Sequence, residues 1–169
     1  AGAYTQSIFM RNEEVDTGRR SFADMAYRDV LIEGNVIVNA QLHGITVGEA
    51  DGLVIANNAV LRNPLSEGER DNPDLWTPRI NVSPASRGVE ILRNVAPRIA
   101  GYDGQPGWRV EGNLVVQDRA PSEPGYYGSV FAGMPGGDPR DPASFAPRPG
   151  GPLDGTGIGP AWLGRPGPP

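Results

Sequence analysis

The sequence predicts an all-β fold: a parallel β-helix of about four to five coils over residues 1–132, then an irregular Gly/Pro-rich tail over 133–169. Two observations predict the helix. A segment pattern recurs at 29–37, 52–60, 88–96 and 107–115, each copy having a small or turn-forming residue, two apolar residues one position apart, and an Asn three residues after the second. A second register runs beside it, in which Ile45-Thr46-Val47, Ile80-Asn81-Val82 and Ile99 each precede the apolar pair of a later segment by a matching offset. A third observation excludes long helices, since 24 glycines and 18 prolines among 169 residues favour many turns.

Strand alternation places Val30 and Ile32, Leu53 and Ile55, Val89 and Ile91, and Trp108 and Val110 on one side of their strands, where they stack as the core. Each rung buries apolar surface only against its neighbours, so no rung is stable alone. Residues 7–10 and 129–132 read as the second-register strand at either end of the stack. The recurrent Asn suits a tight corner, because Asn tolerates the left-handed conformation and its amide bonds backbone groups; stacked amides also form ladders. Four unrelated turn asparagines is the plainer alternative.

The four Asn positions are spaced by 23, 36 and 19 residues, and the long interval holds the insertion 64–77, polar, acidic and bracketed by prolines. It reads as a surface loop emitted from one turn. Beyond residue 132, only Phe145, Leu153, Ile158, Trp162 and Leu163 can anchor the tail, which is expected to lie on the prism, cap its end or pack on a partner chain.

A net charge of −5, with all fifteen basic residues arginine, gives no concentrated basic surface for wrapping nucleic acid. No apolar run approaches the ~20 residues that span a bilayer, and the absence of cysteine excludes disulfides and thiolate chemistry.

These segments, written G-[VL]-x-I-x-x-N-x-[VIA], resemble the repeat of the right-handed parallel β-helix, or pectin-lyase-like, superfamily over roughly residues 4–132. The resemblance implies a long polysaccharide bound along one face, as in polysaccharide lyases, uronate epimerases and phage tailspikes. Strand-like sequence begins at Tyr4 without the usual N-terminal cap, so the chain is expected to be the C-terminal part of a longer helix or a short module stacked on another subunit.

Lyases of this fold, as the resemblance implies, use a basic residue to abstract a proton and acidic residues to hold Ca²⁺. His43, the only histidine, stands near Glu49 and Asp51 and is the candidate base with a raised pKa, with Asp51 and Arg28 as companions; a hydrogen-bonded corner residue is the alternative. Arg28, Arg79 and Arg109 are candidate carboxylate clamps, although Arg109 is in register with Glu90 for a structural ion pair. Glu67, Glu69, Asp71 and Asp74 in the insertion are candidate Ca²⁺ ligands, or simply a solvated loop. Trp76, Tyr126 and Tyr127 are candidate sugar platforms, or cover for the last rung. Outward Leu31 and Val54 on adjacent rungs suggest a covered surface and hence assembly.

The leading expectation is an accessory module, secreted, cell-surface or virion-associated, that binds or displays itself to polysaccharide within a homo-oligomer or longer chain. A polysaccharide lyase or uronate epimerase is the second, and a structural spacer of a fibre or surface layer the third.

Overall fold

The computed structural model describes residues 6–66 and 73–165. The chain opens with β1 (Ile8–Met10), two one-turn helices α1 (Glu13–Asp16) and α2 (Phe22–Met25), and then β2 (Tyr27–Glu33), β3 (Val36–Asn39) and β4 (His43–Val47). Two further circuits follow: β5 (Ala50–Ala56), β6 (Ala59–Arg62) and β7 (Arg79–Val82), then β8 (Arg87–Leu92), β9 (Val95–Ala96) and β10 (Ile99–Ala100). The last strands are β11 (Arg109–Glu111) and β12 (Leu114–Val115), followed by a short helix α3 (Tyr127–Val130).

Among the described residues these strands form three four-stranded sheets, β1-β4-β7-β10, β2-β5-β8-β11 and β3-β6-β9-β12, and every strand pair in them is parallel. The chain visits the sheets in rotation, which is consistent with an all-β parallel solenoid. Both ladders read from the sequence are present. Ile8, Ile45, Ile80 and Ile99 are register partners in the first sheet, and Val30, Leu53 and Val89 in the second. The inner core contains Ile32, Leu53, Ile55, Val89 and Ile91, with Val30, Trp108 and Val110 packed against it.

The corners show why the repeat has its form. Asn58 Nδ2 donates to Asn94 Oδ1 at 3.0 Å and to the carbonyls of Ile32 and Ala56, while Asn35 Nδ2 donates to Asn58 Oδ1 at 2.9 Å and Asn94 Nδ2 to Asn113 Oδ1 at 3.0 Å. Each Oδ1 also accepts the backbone N–H of the Asn one rung earlier. The ladder therefore answers the buried backbone groups of every turn. The left-handed residue is not the Asn, however. It is the residue before it: Gly34, Asn57, Arg93 and Gly112, at φ 72°, 52°, 50° and 65°. The Asn is needed for its amide, and backbone freedom is required one position earlier. A second left-handed column, Asp29, Gly52, Gly88 and Gly107, explains the small or turn-forming residue that opens each segment. At Gly52 a Cβ would stand 3.0 Å from Asp29 Oδ1, besides adopting φ +81°.

A second expectation is corrected. Residues 129–132 do not continue the first sheet: Ser129 and Val130 end helix α3, and Phe131 makes an isolated antiparallel bridge to Pro147. The reason is a second core, in which Tyr127, Val130, Phe131 and Phe145 pack against Ala59, Leu61, Val95 and Val116. The three rings meet edge to face, with centroids 5.2 to 6.0 Å apart. Residues 133–165 thus lie on the outer side of the third sheet, held by Phe145, Leu153 and Leu163 and by a hydrogen bond from Trp162 Nε1 to the Gly34 carbonyl at 2.9 Å.

The insertion is also anchored at both ends. Pro64–Ser66 and Pro73–Trp76 form single 3-10 turns, and Trp76 is buried, its carbonyl accepting from Arg62 Nε at 3.0 Å.

Candidate functional site

Strand alternation in the first sheet sends Ile45, Ile80 and Ile99 inward and leaves the residues beside them facing out. On that outer face His43 of β4 is the register partner of Arg79 of β7, and Arg98, immediately before β10, accepts at its carbonyl from Ile80 N on the neighbouring strand. An imidazole and two guanidinium groups thereby stand on three consecutive rungs. His43 Nδ1 is 2.9 Å from Thr46 Oγ1, and the ring meets Phe9 edge to face at 4.9 Å. These contacts orient the imidazole within the face. Arg79 Nε is buried and makes no hydrogen bond, and neither Arg79 nor Arg98 forms an ion pair with a described residue.

Electrostatics follow from this arrangement. Burial, then the charges of Arg79 and Arg11, hold the His43 pKa below its ordinary 6.5. The expectation of a raised pKa is therefore reversed, because the facing groups are arginines rather than the carboxylates nearby in sequence. Burial and the Arg98 charge likewise lower Arg79, with Asp74 opposing them. Since the unfolded chain protonates His43 at about 6.5 and the folded chain only at lower pH, stability from this group is complete above that value and falls as pH drops through it. Chemical unfolding between pH 7 and 5 is expected to show a decline in wild type that His43→Gln flattens; equal slopes in the two proteins would contradict it.

The other predicted residues are distributed elsewhere. Glu49 is buried with Oε1 accepting from Ser83 Oγ at 3.0 Å. Arg28 and Asp51 form an ion pair at 3.1 Å in the second sheet, so they do not join His43. Arg109 and Glu90 form another at 3.0 Å, in register on adjacent strands. Tyr127 is fully buried and Trp76 nearly so, which leaves no ring face on either for a sugar. Burial also pushes the Tyr127 hydroxyl pKa up, so it stays neutral as it accepts from Arg62 N at 2.7 Å. Tyr126 is half-buried, before α3. Of the candidate Ca²⁺ ligands, Glu67, Glu69 and Asp71 lie outside the described residues, while Asp74 is exposed; among the described residues no three metal-ligating side chains stand together.

A groove of about 540 Å³ runs along the outer face of the second sheet, over Leu31 and Val54 and beside Glu90 and Arg109. Its arginine is already paired, so it offers an anionic ligand less than the first sheet does, despite its size. Sequence reasoning singled out His43 and Arg79 separately and missed Arg98 and Thr46. The signal was partial: Arg79 and Arg98 each stand one position before an inward isoleucine, whereas His43 stands two before Ile45 and becomes the partner of Arg79 through a register shift between His43 and Ile45.

Comparison of the chain with protein-family models, with curated proteins and with solved structures finds no match in any of the three. No helix among the described residues is long and apolar enough to cross a membrane.

Proposed function

We propose that the chain is a right-handed parallel β-helix module of pectin-lyase-like type, about four to five coils long, that binds an acidic polysaccharide along the outer face of its first sheet. The reading rests on the column His43, Arg79 and Arg98, on consecutive rungs, with the Arg79 Nε donor unused. Rungs repeat at about 4.8 Å, on the order of one sugar unit, so a polyanion lying along the axis meets the guanidinium groups of Arg79 and Arg98 on adjacent rungs and the neutral imidazole of His43 on the third. Guanidinium groups suit carboxylate or sulfate groups because their paired donors match two acceptor oxygens. Such a module belongs on a secreted, cell-surface or virion-associated protein, as an accessory part of a larger assembly.

Affinity electrophoresis in gels carrying polygalacturonate or alginate tests the proposal. Wild type is expected to be retarded there and not in neutral dextran, and Arg79→Gln to weaken binding by roughly tenfold or more, as for loss of a charge-assisted hydrogen bond. Equal migration in acidic and neutral gels would sink the proposal.

A second reading, elimination at a uronate, has one observation in its favour. His43 is held in its neutral, proton-accepting form beside an arginine able to hold the carboxylate. It requires ultraviolet absorbance from unsaturated uronate to grow with wild type and to be lost in His43→Ala; a flat trace removes it and leaves binding.

A further inference from the structure

The corner between the second and third sheets carries polar side chains on three successive rungs: Glu33 at the end of β2, then Asn57 and Arg93 at the left-handed positions after β5 and β8. They form one hydrogen-bonded chain. Asn57 Nδ2 donates to Glu33 Oε1 at 3.2 Å, and Arg93 Nε donates to Asn57 Oδ1 at 3.1 Å, so the Asn57 amide bridges a carboxylate and a guanidinium. Both groups keep capacity in reserve. Among the described residues Glu33 Oε2 accepts no hydrogen bond and the two terminal nitrogens of Arg93 donate none.

The tail supplies a second wall. Gly159 N donates to the Arg93 carbonyl at 2.8 Å and Trp162 Nε1 to the Gly34 carbonyl at 2.9 Å, so this part of the tail is tied to the third rung and to the first. Between tail and corner lies a cavity of about 500 Å³, with Ile158, Pro160 and the half-buried Trp162 on its apolar side. That volume falls among small-molecule sites, roughly 300–1,000 Å³. Trp162 is outside the aromatic cluster of the tail, and its bond to Gly34 holds the indole at this cavity instead.

The chemistry of the lining selects the ligand. Glu33 and Arg93 have opposite charge, so an anion or a cation gains at one what it loses at the other. A neutral secondary amide loses nothing. Lying alongside the Asn57 amide, its N–H donates to Glu33 Oε2 and its carbonyl accepts from a terminal nitrogen of Arg93, repeating the bridge that Asn57 makes. We propose that this cavity binds an N-acetylated amino sugar, its acetamido group bridging Glu33 and Arg93, its methyl toward Ile158 and its pyranose ring against Trp162. A neutral glucan leaves the bridge unmade and is no ligand. A peptide offers the same amide without a compact ring whose apolar face covers the indole. The cavity is separate from the His43–Arg79–Arg98 column, and its occupancy does not depend on that face.

Isothermal titration of the full 169-residue chain with N-acetylglucosamine and N-acetylgalactosamine, up to about 50 mM, gives the test. At least one sugar is expected to bind with a dissociation constant on the order of 1 mM, and glucose and N-acetylglycinamide at least tenfold more weakly. Glu33→Ala and Arg93→Met, both at exposed positions outside the tail, are each expected to weaken binding about tenfold. Arg79→Gln is expected to leave it unchanged, whatever that substitution does in acidic gels. Wild type that binds neither sugar overturns the proposal, as does binding unaltered in either corner variant or lost in Arg79→Gln. Glucose bound as tightly shows that the acetamido group is not read, and N-acetylglycinamide bound as tightly shows that the sugar ring is not; either result overturns it too.

Discussion

Asn58→Leu is expected to cost the fold about 4 kcal/mol, because it takes a partner from two backbone groups, one buried and one half-buried, at roughly 2 kcal/mol each. The groups are the Asn35 N–H, which donates to Asn58 Oδ1, and the Ile32 carbonyl, which accepts from Asn58 Nδ2. Leucine is near enough in volume that packing alone does not account for such a loss. The Ala56 carbonyl keeps its Gly34 N–H donor, and so does not add to the count. For a chain of this length the change corresponds to a fall of about 10 °C in Tm, and in urea the midpoint is expected to move with little change in slope. The same substitution at Asn113 removes the acceptor of the Asn94 N–H and a donor to the Ile91 carbonyl, both on buried residues, and is expected to cost a similar amount. A cost below about 1 kcal/mol at both positions would mean that the ladder is not what holds the corners.

Arg62→Met is expected to cost about 3–5 kcal/mol, the range for breaking a buried ion pair by removing one partner. Arg62 is 4% exposed, its guanidinium pairs with Asp118, and its Nε holds the Trp76 carbonyl that closes the insertion. Without it a carboxylate remains in a largely buried place with its charge uncompensated. The double variant Arg62→Met with Asp118→Leu is expected to recover most of the stability, because no unpaired charge is then left. Loss of the Trp76 anchor persists in both, so cleavage in segment 64–77 under limited proteolysis is expected to quicken in both. The exposed pair of Arg28 with Asp51 provides the contrast, its removal costing no more than about 1 kcal/mol. A similar cost at Arg62 would show that the pair is not shielded from water.

Much of the fold was legible because strand alternation and stacking are one-dimensional. Val30 and Ile32 point inward for the same local reason as Leu53 and Ile55, and the spacing of the Asn residues set which strand pairs with which. The corner was legible in its amides, since the Asn, its bonds to backbone groups and the stacked ladder are all read from the sequence, but the left-handed conformation also assigned to the Asn falls on the residue before it, Gly34, Asn57, Arg93 and Gly112. Residues 129–132 misled because Val130 and Phe131 have the apolar character of a strand, and only the aromatic cluster with Tyr127 and Phe145 shows what they bury against. The candidate site was legible as single residues and not as a group. His43 looked acidic in its surroundings because Glu49 and Asp51 follow it in sequence, but its partner across the sheet is Arg79, 36 residues on, with an insertion between them.

By itself, the sequence determined the rungs: which strands exist, which side of each is apolar, and where an amide recurs to satisfy the turns. Only the tertiary structure decided what shares a face. Rung-to-rung neighbours are set by register across insertions of unequal length, and residues far apart in the chain meet at the separation of adjacent strands, about 4.8 Å. Ion pairs absorb Arg28, Arg62 and Arg109, while Arg79 and Arg98 are left with their charge available. Coulombic effects depend on those distances and on burial, neither of which is a property of sequence order.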